Sequence, residues 1–371
     1  MLTGIWVFIT ALFILAASCY LLFITSDNLE KVGGRLGRLL RLPDDVIAST
    51  LQALATSGPE IVMAIIVATP YISSEVWQGL QHSEKACSGC LNMCFSAMHN
   101  LVGIGCLGIL FMIGRKTAKP DEVIVVTPSV KIGLIFYILS SGCLSFFVMD
   151  GIMTEIEAWV LMIIGIVFVL SQFIIPALFS GFRKKYASAT PIQKKESETG
   201  NKREEPPLPT TTGGWSIDFL KNIFIYAFLV FALVVFVREC ISSTFNMATV
   251  GIVSVGGVLI MFTSYVSSFP EFMMTYRYAV ANKKSSLLGM LFGSNVVDLA
   301  FAGFRPIWLH EPMEVITTGR YHQLLPLYIW VIPLLAILFL AGLCFGKVKY
   351  KHAYPLVVFY VIYIVSGFIL L

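Results

Sequence analysis

The feature that most constrains this chain is a series of apolar stretches, each long enough to cross a bilayer. A hydrocarbon core needs about 20 apolar residues per helical crossing. Ten segments of the 371 residues qualify: 3–24, 46–70, 88–113, 129–149, 156–180, 216–237, 247–280, 286–303, 324–345 and 353–371. Residues are 57% hydrophobic and 13% charged, against roughly a quarter charged in a soluble domain, so water is not this chain's main solvent. The expectation is an all-α polytopic membrane protein with little outside its spans. The first span has no Lys or Arg before it and lacks the basic start of a secretory signal. It reads as a retained helix, despite Ala16-Ala17-Ser18-Cys19. A net charge of +4 with no aromatic-laced basic patch gives no indication of nucleic acid.

Loop charges alternate. Lys31, Arg35, Arg38 and Arg41 follow span one, Arg115, Lys116 and Lys119 follow span three, and Arg183, Lys184 and Lys185 follow span five. Lys283 and Lys284 follow span seven, and Lys347, Lys349 and Lys351 follow span nine. Intervening loops are acidic or mixed, with Glu75 and Glu84, then Asp150, Glu155 and Glu157. The positive-inside rule makes every odd-to-even loop cytoplasmic and puts both termini on the other side.

Residues 182–214, FRKKYASATPIQKKESETGNKREEPPLPTTTGG, are rich in charge, Pro, Ser and Thr and have little to bury. They read as a disordered cytoplasmic linker between a first half, 1–181, and a second half, 215–371. Five spans on each side is an odd number, so the halves insert upside down relative to each other. Transporters built from inverted repeats hold their site at the repeat interface, on interrupted helices.

A short pattern occurs once per half. Thr56-Ser57-Gly58-Pro59-Glu60 lies in span two, and Ser267-Ser268-Phe269-Pro270-Glu271 lies in span seven. The next span in each half carries a second polar cluster, Ser96-Ala97-Met98-His99-Asn100 and Ser294-Asn295-Val296-Val297-Asp298. Each is a hydroxyl followed four residues later by an amide or carboxylate, a spacing that places both on one helical face. Pro59 and Pro270 cannot donate to the carbonyls of Ala55 and Val266, and Gly58, Gly256 and Gly257 suggest further distortion.

A carboxylate at the bilayer centre costs roughly 2.5–3.5 kcal/mol, so Glu60, Glu271 and Asp298 together would cost on the order of 8–10 kcal/mol. The nearest basic residue is Arg277, about two turns beyond Glu271. Hard cations prefer carboxylate, amide, hydroxyl and carbonyl oxygens, which these clusters supply. The alternative, polar residues that only bind helices together, suits any one serine but not a duplicated acidic set. Cys87-Ser-Gly-Cys90 with Cys94 has redox or zinc spacing but no second pair, and reads as small residues at a helix start. No Ser/His/Asp set, phosphate-cradling loop or zinc-protease motif points to an enzyme.

These motifs resemble the two alpha-repeats of the calcium/cation antiporter superfamily, which includes the sodium/calcium exchangers and their potassium-dependent relatives. The family pattern is approximately Gly-Thr-Ser-x-Pro-Glu/Asp, then Gly-Ser-Asn-x-x-Asp/Asn, in each half. Gly293-Ser294-Asn295-Val296-Val297-Asp298 matches fully and Ser57-Gly58-Pro59-Glu60 closely, and the resemblance spans nearly the whole chain. It implies ion ligation by Glu60 and Glu271 at the centre, completed by Asn100 and Asp298. Thr56, Ser57, Ser96, Ser267, Ser268 and Ser294 would add hydroxyl or carbonyl oxygens. It further implies alternating access, with the first and sixth helices sliding against a fixed core, and calcium and sodium as transported ions.

Ala55 and Ser267 depart from the family's Gly and Thr, and Phe95 and Ala97 replace Gly and Asn in the first repeat. His99 reads as a packed or hydrogen-bonded histidine. The linker is too short for calcium-sensing domains. The function expected is calcium/sodium antiport by a monomer in the lipid bilayer. Exchange of calcium or another divalent cation against protons is the alternative, and potassium coupling stays open. A channel or non-transporting sensor is a third class, distinguished by single-channel currents.

Overall fold

The computed structural model describes residues 2–40, 42–68, 90, 92–178, 217–249, 263–315 and 321–370. The linker 182–214, Cys87, Gly256, Gly257 and the charges at 41, 75, 84 and 183–185 lie outside the described residues. Among the described residues ten longer helices carry the fold: α1 (Leu2–Leu39), α2 (44–68, interrupted), α3 (Asn92–Gly114), α4 (Pro128–Phe147) and α5 (Glu155–Leu178) in the first half. The second half has α6 (Ile217–Thr249), α7 (263–280, interrupted), α8 (Lys284–Phe301), α9 (Tyr321–Cys344) and α10 (Ala353–Leu370). Among the described residues the only strands are β1 (Ile152–Met153) and β2 (Met313–Glu314). The protein is an all-α polytopic membrane protein, as its apolar spacing predicts.

Two boundaries differ from the sequence expectation. The first span, expected to end at 24, continues as helix to Leu39, because its polar residues satisfy one another along the helix. Lys31 pairs with Asp27 at 2.7 Å one turn away, and Asn28 Nδ2 donates to the Ile24 carbonyl at 3.0 Å. Only Pro43, which disfavours helix in the residue before it, ends the run. Likewise α6, expected over 216–237, extends to Thr249 and takes the start of the seventh span as expected. Local capping sets other boundaries: α4 begins where Thr127 accepts from the Val130 amide and Pro128 occupies the first turn.

Helix α8 is the axis of the molecule, buried along nearly its whole length, whereas α6 is exposed or half-buried along its apolar stretch, with Leu233 alone fully buried there. Gly289 and Gly293, four apart on α8, allow α2 to approach to backbone distance. A Cβ on Gly293 would lie 2.3 Å from the Ser49 carbonyl oxygen, and one on Gly289 3.1 Å from that of Asp45. At this contact α2 opens into a π turn, Ala48–Gln52, and the Tyr226 hydroxyl of α6 donates to the Leu51 carbonyl. Helices α1 and α6 pack along each other outside this core. Phe13, Phe224 and Phe228 on them are exposed, as lipid-facing side chains would be.

The loops sort into two sets. Val123 bridges to Lys349, Lys284 pairs with Glu122 at 3.1 Å, and Lys283 pairs with Asp44 at 3.2 Å. Each contact joins two odd-to-even loops. Lys351, 2.7 Å away, and Lys349 hold the Asp121 carboxyl below its ordinary range. On the other side β1 pairs antiparallel with β2, Ile152 opposite Glu314, and Glu155 meets His310 at 3.0 Å, joining even-to-odd loops. Among the described residues these loop contacts join loops of one parity, as ten crossings require.

Gly293→Ala is expected to cost about 1–3 kcal/mol through overpacking. Gly142→Ala, with nothing near its Cβ, should be neutral on that count. Thermal unfolding in detergent separates them, and equal midpoints would contradict the close α2–α8 approach.

Candidate cation site

Both interrupted helices break at the same place in their motif. In α2 the helix pauses at Ser57 (φ −74°, ψ −2°), and in α7 at Ser268 (φ −79°, ψ 4°). Backbone bonding around the breaks also matches. Ser57 N donates to Ala53 O at 2.9 Å and Ser268 N to Ser264 O at 3.0 Å; Ile61 N donates to Ser57 O at 3.0 Å and Phe272 N to Ser268 O at 3.1 Å. Thr56 and Ser267 each turn their hydroxyl proton back to a carbonyl three residues earlier, at 3.1 and 3.2 Å. Their lone pairs remain free for other partners.

The structure gathers all ten sequence-selected residues, Thr56, Ser57, Glu60, Ser96, Asn100, Ser267, Ser268, Glu271, Ser294 and Asp298, into the buried centre, none more than 2% exposed. Their bonds cross between the halves in matching pairs. Ser57 Oγ lies 2.7 Å from Ser294 Oγ, and Ser294 donates to Glu271 Oε1 at 2.7 Å. In the other half Ser268 Oγ lies 2.7 Å from Ser96 Oγ, and Ser96 donates to Glu60 Oε1 at 3.1 Å. A hydroxyl has one proton, so in each chain the break serine donates to the partner serine, which donates to the carboxylate. Exchanging α2 with α7 and α3 with α8 maps one chain onto the other. Asp298 sits on the seam, its Oδ2 3.4 Å from Ser96 Oγ and 3.5 Å from Asn100 Nδ2.

Four buried oxygens of this cluster have no hydrogen-bond partner: Glu60 Oε2, Glu271 Oε2, Asp298 Oδ1 and Asn100 Oδ1. The three carboxylates stand close enough to repel one another. Among the described residues no Lys or Arg pairs with any of them. Arg277 turns away to Asp27 of α1 at 2.8 Å, its guanidinium 5.3 Å over the Phe23 ring. Hydroxyls separate the acids, and among the described residues no group of three or more His, Cys, Asp and Glu is drawn around one point. The donor set is therefore mixed oxygen, carboxylates with hydroxyls and an amide, which suits hard cations and not a soft metal.

His99 is buried and hydrogen-bonded, with Ser264 Oγ 2.9 Å from Nε2. Its Nδ1 faces the Tyr360 hydroxyl at 2.7 Å, where a hydrolytic triad would place an acid. Sequence reasoning passed over Ser264, Tyr360 and Asn295. Asn295, buried in α8 with both amide atoms unpartnered, belongs to the matched motif, so its pattern was visible; a tyrosine in the last apolar span carried none.

Residues 3–174 match the family model described as sodium/calcium exchanger protein. No curated protein matches the chain by sequence. The fold is similar to solved structures of the sodium-calcium exchanger NCX_Mj. With that protein soaked in 2.5 mM Na+ and 10 mM Sr2+, the TM-score is 0.66 at 17% identity, covering 97% of this chain and 99% of that one. With zero Na+ and Ca2+ it is 0.64 at 16% identity, covering 96% and 99%. With 2.5 mM Na+ and 0.1 mM Ca2+ it is 0.63 at 17% identity, covering 99% of both chains.

Ser294→Ala and Ser96→Ala each remove a serine proton donated to a buried glutamate. Each is expected to lower stability, by about 1–3 kcal/mol, read as a lower unfolding midpoint. A loss from only one of the two would break the equivalence of the halves.

Proposed function

We propose that this chain, whose residues 3–174 match the sodium/calcium exchanger model and whose fold is similar to NCX_Mj, exchanges calcium for sodium across a membrane by alternating access. One observation carries the reading: two carboxylates from matching helix breaks, each with an unpartnered oxygen, buried without a basic residue to neutralise them. In hydrocarbon such charge needs a compensating partner, and a transported cation is one.

Glu60 and Glu271 hold the ion from opposite halves, and Asp298 and Asn100 close the ring. Ser57, Ser96, Ser268 and Ser294 orient the carboxylates, and Thr56 and Ser267 offer lone pairs or neighbouring carbonyls. One divalent ion, or about three monovalent ions, balances three acids, so calcium and sodium occupy overlapping positions in turn. Helices α1 and α6, packed on each other and largely exposed, move as a pair against the core around α8. The two halves are 1–181 and 215–371, joined by a cytoplasmic linker. The basic odd-to-even loops face the cytoplasm and both termini lie opposite. A single chain supplies both halves of the site, so the monomer is the working unit.

In proteoliposomes an outward-directed sodium gradient should drive calcium uptake, and Glu60→Gln or Glu271→Gln should reduce it to the protein-free background. Full transport by both variants would contradict the assignment. Uptake that follows a pH gradient and ignores sodium would make the protein a divalent cation/proton exchanger on the same site.

A further inference from the structure

The matched hydrogen-bond chains leave one feature of the first half without a counterpart. Helix α8 runs unbroken through Val297 and Asp298. Helix α3 instead widens at the equivalent level into a π turn, His99–Ile104, whose first two residues are His99 and Asn100. Such turns are rare and cluster at functional sites. Each adds a residue to the turn and so changes the direction in which the side chains point.

Helix α10 wedges this turn at both ends through Tyr360. Its ring lies against Gly103, where a Cβ would come 2.5 Å from Cζ, and its hydroxyl meets His99 Nδ1 at 2.7 Å. The Tyr360 hydroxyl proton goes to Tyr265 Oη at 2.7 Å, so His99 Nδ1 carries the hydrogen and donates to Tyr360. Nε2 is then an acceptor for the Ser264 hydroxyl at 2.9 Å. Ser264 is part of the α7 break: its carbonyl accepts from Ser268 N at 3.0 Å and Ser267 Oγ at 3.2 Å. The His99 ring also packs on Tyr265, centroids 4.4 Å apart. One imidazole thus ties the π turn of α3 to the break of α7 and to α10.

We infer that His99 is a positioning residue for cation binding, fixing through Tyr360 and Ser264 the π turn that aims Asn100 at the ion. Asn100 directs Nδ2 toward Asp298 and leaves Oδ1 unpartnered. A neutral amide attracts a cation far less than the carboxylate at the matching position, Asp298, so its contribution depends on being held ready. Val297 precedes Asp298 with no such clamp, and the charged side chain needs none. This rests on the cation-exchange reading above.

The test is equilibrium calcium binding to purified protein, beside calcium uptake by the same variants in proteoliposomes. His99→Phe keeps the ring and loses both bonds; its dissociation constant and half-saturating calcium should rise about tenfold, with maximal rate within twofold of wild type. Tyr360→Phe should raise both about threefold, and adding it to His99→Phe should cost little more, because the two act through one array. His99→Gln, which can donate and accept, should recover most of the loss. Unchanged calcium affinity in His99→Phe overturns the inference. So do a fall in maximal rate at constant half-saturation, full additivity with Tyr360→Phe, or a glutamine variant as weak as phenylalanine. If wild-type uptake follows a pH gradient instead of sodium, the coupling ion was misassigned and the binding comparison still decides the role of His99.

Discussion

A carboxylate in hydrocarbon without a basic partner is the constraint on which this structure depends. Two interrupted helices each bring one such group to the centre, immediately after a break that lies beside a proline. Hydroxyl donors soften the cost without removing it, since each serine supplies a single proton and each glutamate keeps one unpartnered oxygen. A nearby arginine could have neutralised the charge permanently. Arg277 is instead engaged by Asp27 of α1, which leaves the acids available to mobile charge.

Holding repelling acids together requires a rigid frame. Helix α8 provides it by presenting glycines where α2 must come closest and by burying nearly every side chain it carries. The π turn in α2 follows from the same approach, and the carbonyl it misaligns at Leu51 is taken up by Tyr226 of α6. Core and peripheral helices therefore meet through apolar packing, with Leu22, Leu29 and Leu233 in the core, and through polar contacts such as the Arg277–Asp27 pair.

Much of this was legible in the sequence because membranes leave few choices. Apolar length gave the crossings, and an acid beside a proline inside an apolar run is costly enough to mark the centre. The duplicated motif was visible as a pattern, and the helix breaks fall at its matching serines, Ser57 and Ser268. The end of α1 was not legible, because Asp27, Asn28 and Lys31 look like loop residues until their bonds along the helix are seen. Nor was the pairing of Ser57 with Ser294 and Ser96 with Ser268, which depends on how the halves meet. The π turn at His99 depends on Tyr360, 261 residues away, and no local pattern links them.

The claim that both halves grip one ion is tested most directly by anomalous scattering from crystals soaked in strontium, a heavier analogue of calcium. The account predicts one dominant peak with Glu60 and Glu271 oxygens both within about 2.3–2.7 Å, near the distances hard divalent cations take. A map with strontium only at the loops, or held by one glutamate while the other bonds to protein alone, would contradict it.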